Sequence, residues 1–383
     1  MFLGFLTSGA TDTEAGPREQ AKRIHDRLAG VPPTDEVLNS LTDLITADPV
    51  GGHYDAAMEA MENPNFYNVT LKNWVTPWTN EEQTAFAPLN DYTATVIGMV
   101  RDNEPFNNLF SADILYVGSD SRLPAYSMDD NDHYEQMEQL GVNLKDDLVR
   151  INQSQATNLP ATATAGVITS RAAASAFFID GTNRAMYRFT MLNHLCTDLE
   201  QIKDPTRSSD RIRQDVSRSP GGDSRLFFNN CAGCHTGMEP LAQAYAYYNY
   251  SYPADDSDAG RIVYTPGAVQ AKYLINETVF KDGYMTTNDH WDNYWREGPN
   301  SLLGWNSSLP GSGDGAKSMG EELANSEAFA QCQAKKVFEV VCFRPPGDAA
   351  DRAQVASMTN NFKANNYDMK GVFADAAVYC AGE

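Results

Sequence analysis

No stretch of 18 or more apolar residues occurs in the 383-residue chain, so no membrane-spanning helix is encoded. Cationic side chains are scarce: 29 Lys and Arg stand against 51 Asp and Glu, a formal net charge of −22. Such a surface repels nucleic acid and anionic lipid, which excludes both as partners, and it attracts a basic protein. No Lys or Arg precedes Arg18, so the mildly apolar Met1 to Ala10 lacks the basic start of an export signal. Residues 1–16 read as a flexible terminus or the remnant of a processed leader. Histidine and cysteine number six each, and only one C-x-x-C occurs, so a zinc site built from two such pairs is excluded. No internal repeat is visible, and no βαβ pattern precedes the C-x-x-C, which argues against a thioredoxin-like dithiol.

What is present is ordinary globular material, 42% hydrophobic, with helical periodicity. Pro17 opens a helix that carries Ala21, Ile24 and Leu28 on one face and stops at Gly30. Thr34 caps a second, with Val37, Leu38, Leu41, Leu44 and Ile45 at helical spacing. A short third helix covers about 53–62. Thr79-Asn80-Glu81-Glu82 reads as a capping box opening a segment with Phe86, Leu89, Val96 and Val100, kinked or broken at Pro88. Strand pairing is possible around 113–117. Thr182 is placed to cap a helix running through Met186, Phe189, Met191 and Leu195 to Leu199. Residues 203–225 form an Arg-rich loop, 253–318 an irregular stretch, and three helices follow at about 319–343, 350–365 and 369–381. The expected fold is mainly α and multi-helical, with irregular loops and little sheet. The expected division is a helical domain at 17–110, a middle domain at 111–225, and a domain at 226–383 that carries the motif and a C-terminal bundle.

Cys231-Ala232-Gly233-Cys234-His235 matches C-x-x-C-H, the attachment pattern of a c-type haem. Two cysteines three positions apart lie on one face of a helical turn and can form thioethers to two vinyl groups. The adjacent histidine then offers its imidazole to the iron. With six Cys and six His, such a triplet arises by chance roughly 0.15% of the time, so the motif is specific. It implies one covalent haem c (heme c), with His235 as proximal ligand.

The segment from Phe227-Phe228-Asn229-Asn230 through the motif to Thr236-Gly237-Met238-Glu239-Pro240-Leu241 resembles the C-terminal haem-binding segment of planctomycete-type cytochrome c proteins. Gly166-Val167-Ile168-Thr169-Ser170 with Leu195-Cys196 resembles that family's middle domain. Phe329-Ala330-Gln331-Cys332 with Val337-Phe338 resembles its final one. The resemblance spans about 35–383 and is close only around the motif. It implies haem content and fold more than mechanism, and a bacterial source. Carbohydrate-binding and additional cytochrome modules, found in larger members, are lacking here.

The second axial position decides the chemistry: a closed iron passes electrons, an open one binds peroxide or oxygen. Met238 lies one helical turn after His235 and belongs on the same side of the haem. Met285, 50 positions beyond His235 in Gly283-Tyr284-Met285-Thr286-Thr287, is the favoured distal ligand, with His290, Met319 and His194 as rivals. Arg207, Arg211, Arg213, Arg218 and Arg225 cluster ahead of the motif, and Arg225, nearest in sequence, is the first choice to pair with a propionate. The tyrosines at 245, 247, 248, 250 and 252 suit packing near the haem or a partner surface. Gly311 to Ser318 fails the phosphate-loop pattern, because Ala316 precedes Lys317.

Four cysteines remain. Cys332 and Cys342 are ten apart on one expected helix, about 15 Å, too far to bridge. If the last three helices run up, down, up, Cys342 and Cys380 meet at equivalent ends, leaving Cys196 with Cys332. These features fit export to the periplasm or the cell exterior. The expected function is electron transfer with a redox partner protein. A haem enzyme with an open iron, using His290 or His194 as distal base, is one alternative. A haem-bearing subunit of an oligomer or surface assembly is another, motivated by a chain far longer than the about 100 residues a one-haem carrier needs.

Overall fold

The computed structural model describes residues 15–179, 181–274 and 278–382. The first fourteen positions of the expected flexible terminus therefore lie outside the described residues. Among the described residues the fold is mainly helical, with three two-stranded antiparallel ribbons.

The two ends of the chain build one bundle. The Pro17–Ala29 helix buries Ala21, Ile24 and Leu28 and ends where Gly30 turns left-handed at φ 70°. Thr34 caps the Asp35–Ala47 helix by accepting from the Val37 N–H. A third helix covers Gly52–Ala60. The last helix, Met369–Ala381, packs against the first and third and against Glu327–Cys342 and Ala349–Ala364. It is buried nearly all round, by Val372, Phe373, Ala374, Ala376 and Ala377. Phe373 meets Phe66 and Trp74 edge-on at 5.1 and 5.3 Å. One apolar core runs from this bundle through the middle of the chain.

Both expected disulfides form. Cys196 pairs with Cys332 (Cα–Cα 5.3 Å), and Cys342 with Cys380 (5.7 Å). Lys363 near the end of one helix pairs with Glu327 at the start of the one before it, and Tyr379 near the chain's end donates to Asp351, so the last three helices alternate in direction.

Three local expectations fail. Thr79 closes a 3-10 turn, Thr76–Thr79, instead of opening a helix. The Asn80 side chain accepts from the Thr84 N–H and donates to its carbonyl, which holds 80–84 as a loop. The helix begins beyond Pro88, at Asp91–Arg101, with Asn90 as the cap that accepts from Thr93. The expected 319–343 helix is two helices, Gly315–Ala324 and Glu327–Cys342, because the Ser326 hydroxyl caps the second by accepting from Phe329. Thr182 does not cap. Its hydroxyl accepts from Arg213, and the Arg184–His194 helix starts two residues later, after Asn183 at φ 61°. A helix at Arg171–Phe177, unexpected from the sequence, is capped by Ser170.

The ribbons pair Leu115–Gly118 with Leu148–Ile151, Tyr248–Ser251 with Arg261–Tyr264, and His290–Asp292 with Ser312–Asp314. Among the described residues no helix is long and apolar enough to cross a membrane.

Candidate functional site

The motif opens the Ala232–Ala242 helix, which follows a π turn at Phe227–Cys231. Several contacts fix it. The Asp204 N–H donates to the Gly233 carbonyl at 2.9 Å, and the Thr236 hydroxyl donates to the Asp204 carbonyl at 2.9 Å. Gly237 packs closely on the Trp295 indole, and a Cβ there would come within 2.0 Å of the ring atoms Cε2 and Nε1. The glycine is required by this close approach.

Cys231 and Cys234 are the two cysteines outside the disulfides, and both are half-buried. Burial pushes the Cys234 thiol up. His235 keeps 21% of its side chain exposed, and its Nδ1 donates to Oε1 of Glu239 at 2.6 Å, one helical turn on. Because an ionised carboxylate only accepts, a proton sits on Nδ1, and in the neutral ring the lone pair lies on Nε2. Among the described residues Nε2 has no hydrogen-bond partner.

Glu239 is fully buried within a four-charge network. Arg184 donates from Nε to Glu239 at 2.7 Å and from both terminal nitrogens to Asp215 at 2.8 and 3.0 Å. Arg213 lies 3.4 Å from the other oxygen of Glu239 and 3.5 Å from Asp215. Burial alone would raise the Glu239 carboxyl. The guanidinium groups of Arg213 and Arg184, together with the His235 hydrogen bond, hold it far below the usual carboxylate range.

A small apolar cluster of Ile212, Phe227 and Ala232, with Val216 and Cys231 against it, flanks the motif. Arg218 lies between the Phe227 and Phe280 rings, 4.8 and 4.3 Å from their centroids. The segment ending at Met285 runs along this cluster: the Tyr284 N–H donates to the Ile212 carbonyl at 2.9 Å, and the Phe280 N–H to the Gln214 carbonyl at 2.9 Å. Gln243, just past the motif helix, donates to Asn288 at 3.0 Å and accepts from Arg211, which also donates to the His290 carbonyl. The chain from 284 to 292 therefore wraps the motif helix.

Of the four distal candidates, Met285 and His290 lie on the segment that runs along the motif helix, His194 ends a helix that also packs on it, and Met319 lies on Gly315–Ala324. The Met285 side chain is largely exposed. The His290 ring is engaged with Asp314, 2.9 Å away. Met319 is wholly buried in the core. His194 is buried against Trp78 and Phe110 and shares a 2.6 Å hydrogen bond with the Tyr92 hydroxyl. Burial holds it well below its ordinary pKa, as an uncharged core residue. Met238 is buried too. Arg225 points into solvent in a paired contact with Asp223, away from any buried carboxylate. Tyr245, Tyr248 and Tyr250 are core residues.

The sequence reading missed Glu239 as a functional group, with Arg184 and Asp215 behind it. The i, i+4 spacing of His235 and Glu239 is the signal that could have found the first. Nothing local points to Arg184, 55 residues away.

A c-type haem asks for two thiols free of disulfides, an imidazole with an available Nε2, and apolar side chains around them. The residues present fit: Cys231 and Cys234 are free, His235 offers Nε2, and Leu226 and Phe228 stay exposed beside the motif. Among the described residues no group of three or more His, Cys, Asp or Glu is placed to hold a metal ion. No family model matches the sequence, and neither the curated proteins nor the solved structures include a match.

Proposed function

We propose that this chain is an exported c-type cytochrome of the planctomycete type, holding one haem c and passing electrons. The observation that carries the reading is the state of the motif: of six cysteines, four are consumed in two disulfides and the two left free are those of C-x-x-C-H. When bound, the haem supplies a one-electron iron couple.

The chain's own residues do the rest. Cys231 and Cys234 would tether the group, and His235, with Nδ1 on Glu239, would hold the iron through Nε2. Met285, an exposed residue on the segment laid along Ile212, would be the second residue to hold the iron in this reading, while the His290 ring is held by Asp314. Arg213, buried with Nη1 lacking a hydrogen-bond partner among the described residues, replaces Arg225 as the guanidinium suited to a propionate. The disulfides suit an oxidising compartment, and the charge of −22 suits a basic redox partner.

A second reading, a haem enzyme with an open distal position, is favoured by one observation: a buried carboxylate on the proximal histidine strengthens it as a donor, which supports high-valent chemistry. A pyridine haemochrome assay with ferric absorption and EPR spectra separates the readings. One covalent haem per chain, low-spin and lost in C231A/C234A, is expected. Absence of covalent haem in protein made with a c-type maturation system overturns the cytochrome reading, and a high-spin ferric spectrum selects the enzyme.

A further inference from the structure

We propose that Glu239 is a positioning residue that holds His235 as a strongly donating, partly imidazolate-like ligand and so sets a low reduction potential. This rests on the haem reading above and adds to it how the site is tuned. A histidine ligand passes the character of its outer hydrogen bond to the metal: a neutral carbonyl acceptor on Nδ1–H leaves an ordinary imidazole, whereas a carboxylate draws the proton away and enriches the ring.

The geometry commits this chain to the carboxylate. Glu239 lies one turn from His235 on the same helix face, 2.6 Å from Nδ1, and has no exposed surface. Arg184 donates to the same Oε1 that faces His235, and Arg213 lies 3.4 Å from Oε2, an ion-pair contact without a hydrogen bond among the described residues. Those arginines are themselves held by Asp215, so two cations and two anions balance within the network. Glu239 thus keeps its negative charge without an unpaired ion in the interior. Trp295 against Gly237 and the Asp204 contacts stop the helix from shifting to break the bond. A ring enriched in this way stabilises ferric over ferrous iron. In the redox step one electron arrives from a protein partner, no bond forms or breaks, and the Nδ1 proton stays in the His235–Glu239 hydrogen bond.

The test compares purified wild type, E239Q, E239D and D215N. Covalent haem is first quantified in each by pyridine haemochrome. Its absence from the wild type rejects the haem reading, which is a separate failure. With haem present, E239Q is expected to shift the ferric/ferrous equilibrium at least tenfold toward ferrous, about 59 mV upward for one electron. E239D, which keeps the charge but draws it back from the ring, should shift it the same way by less. D215N removes an equal charge from the network without touching His235 and should shift it least. An E239Q potential within twofold of wild type, about 18 mV, overturns the proposal. So does a D215N shift as large as that of E239Q, which would assign the effect to charge alone. Should E239Q fail to fold, the wild type decides: in ferric protein labelled with ¹⁵N-histidine, the His235 Nδ1 proton is expected in slow exchange with solvent. Exchange as fast as that of free imidazole overturns the inference.

Discussion

The last helix of the bundle and the motif helix are both buried, but by different means. Met369–Ala381 is enclosed mostly by small and apolar side chains, and Arg18 and Asp35, a pair at the bundle's edge, have side chains 49% and 91% exposed, although Asp351 of the bundle is buried against Arg344. Ala232–Ala242 is enclosed partly by charge: Glu239, Arg213 and Asp204 are all buried around it. An apolar enclosure stabilises through area removed from water and tolerates small shifts. A charged enclosure gains little net stability but fixes orientation, because each buried ion demands its partner. The bundle is a support, and the motif region holds one imidazole at one angle.

The Cys196–Cys332 bridge joins these two regions, while Cys342–Cys380 lies within the bundle, so removing each in turn probes the contrast most strongly. Chain-entropy arguments give about 5 kcal/mol for the first loop and about 4 kcal/mol for the second, for sequence separations of 136 and 38 residues. C196A/C332A is expected to lower stability more, and to make the Soret signal melt before the far-ultraviolet helix signal. C342A/C380A should leave both signals coincident. Urea titrations followed by both probes decide it. A split transition in C342A/C380A alone would mean that the regions are not joined as described.

The next largest effect concerns the buried charges. Truncating Arg213 to Ala leaves Glu239 with Arg184 as its remaining cation and is expected to cost about 3 kcal/mol. An exposed pair such as Arg18–Asp35 contributes no more than about 1 kcal/mol. The pH dependence sharpens this. The Glu239 pKa is depressed in the folded state, so its contribution is fully present above its ordinary value of 4.5 and is lost as pH falls below it. Wild-type stability should therefore drop as pH is lowered from about 5 toward 3, with a shallower slope in R213A. Equal slopes in the two proteins would show that Arg213 does not hold the carboxylate ionised.

The same contrast explains what could be read from the sequence. Bundle helices carry their signals locally: Pro17 and Gly30 bracket one, Thr34 caps another, and Val372, Phe373, Ala376 and Ala377 lie close along the chain. Even the disulfides followed from helix length and direction. The motif, too, was legible, because thioether chemistry needs fixed spacing. The network behind it was not. Arg184, Asp215 and Glu239 come from a helix, a loop and another helix, and their meeting is a property of the fold. Arg225 was chosen for nearness in sequence, and the structure turns it outward onto Asp223, where an Asx-type turn satisfies it locally. His194 is the reverse case: though a rival ligand, a lone histidine on an apolar helix reads first as a hydrogen-bonded core residue, and its bond to the Tyr92 hydroxyl makes it one.

The smallest expected effect tests where local reading fails. An amphipathic pattern places Phe86 on the same helix face as Leu89, yet Phe86 is 96% exposed and Leu89 is 2% exposed. The difference follows from Asn80, whose side chain closes the 80–84 loop, and from Pro88, which keeps the preceding residue out of a helix. Truncating Phe86 to Ala should therefore change stability by no more than about 0.5 kcal/mol, while Leu89 to Ala should cost about 2–5 kcal/mol. Denaturant melts of the two variants measure both. A cost for Phe86 near that of Leu89 would mean that the segment is helical and packed, as the hydrophobic spacing alone implies, and that the asparagine clamp does not prevail over it. The expected gap of several-fold measures how far one side-chain hydrogen-bond pattern can override periodicity.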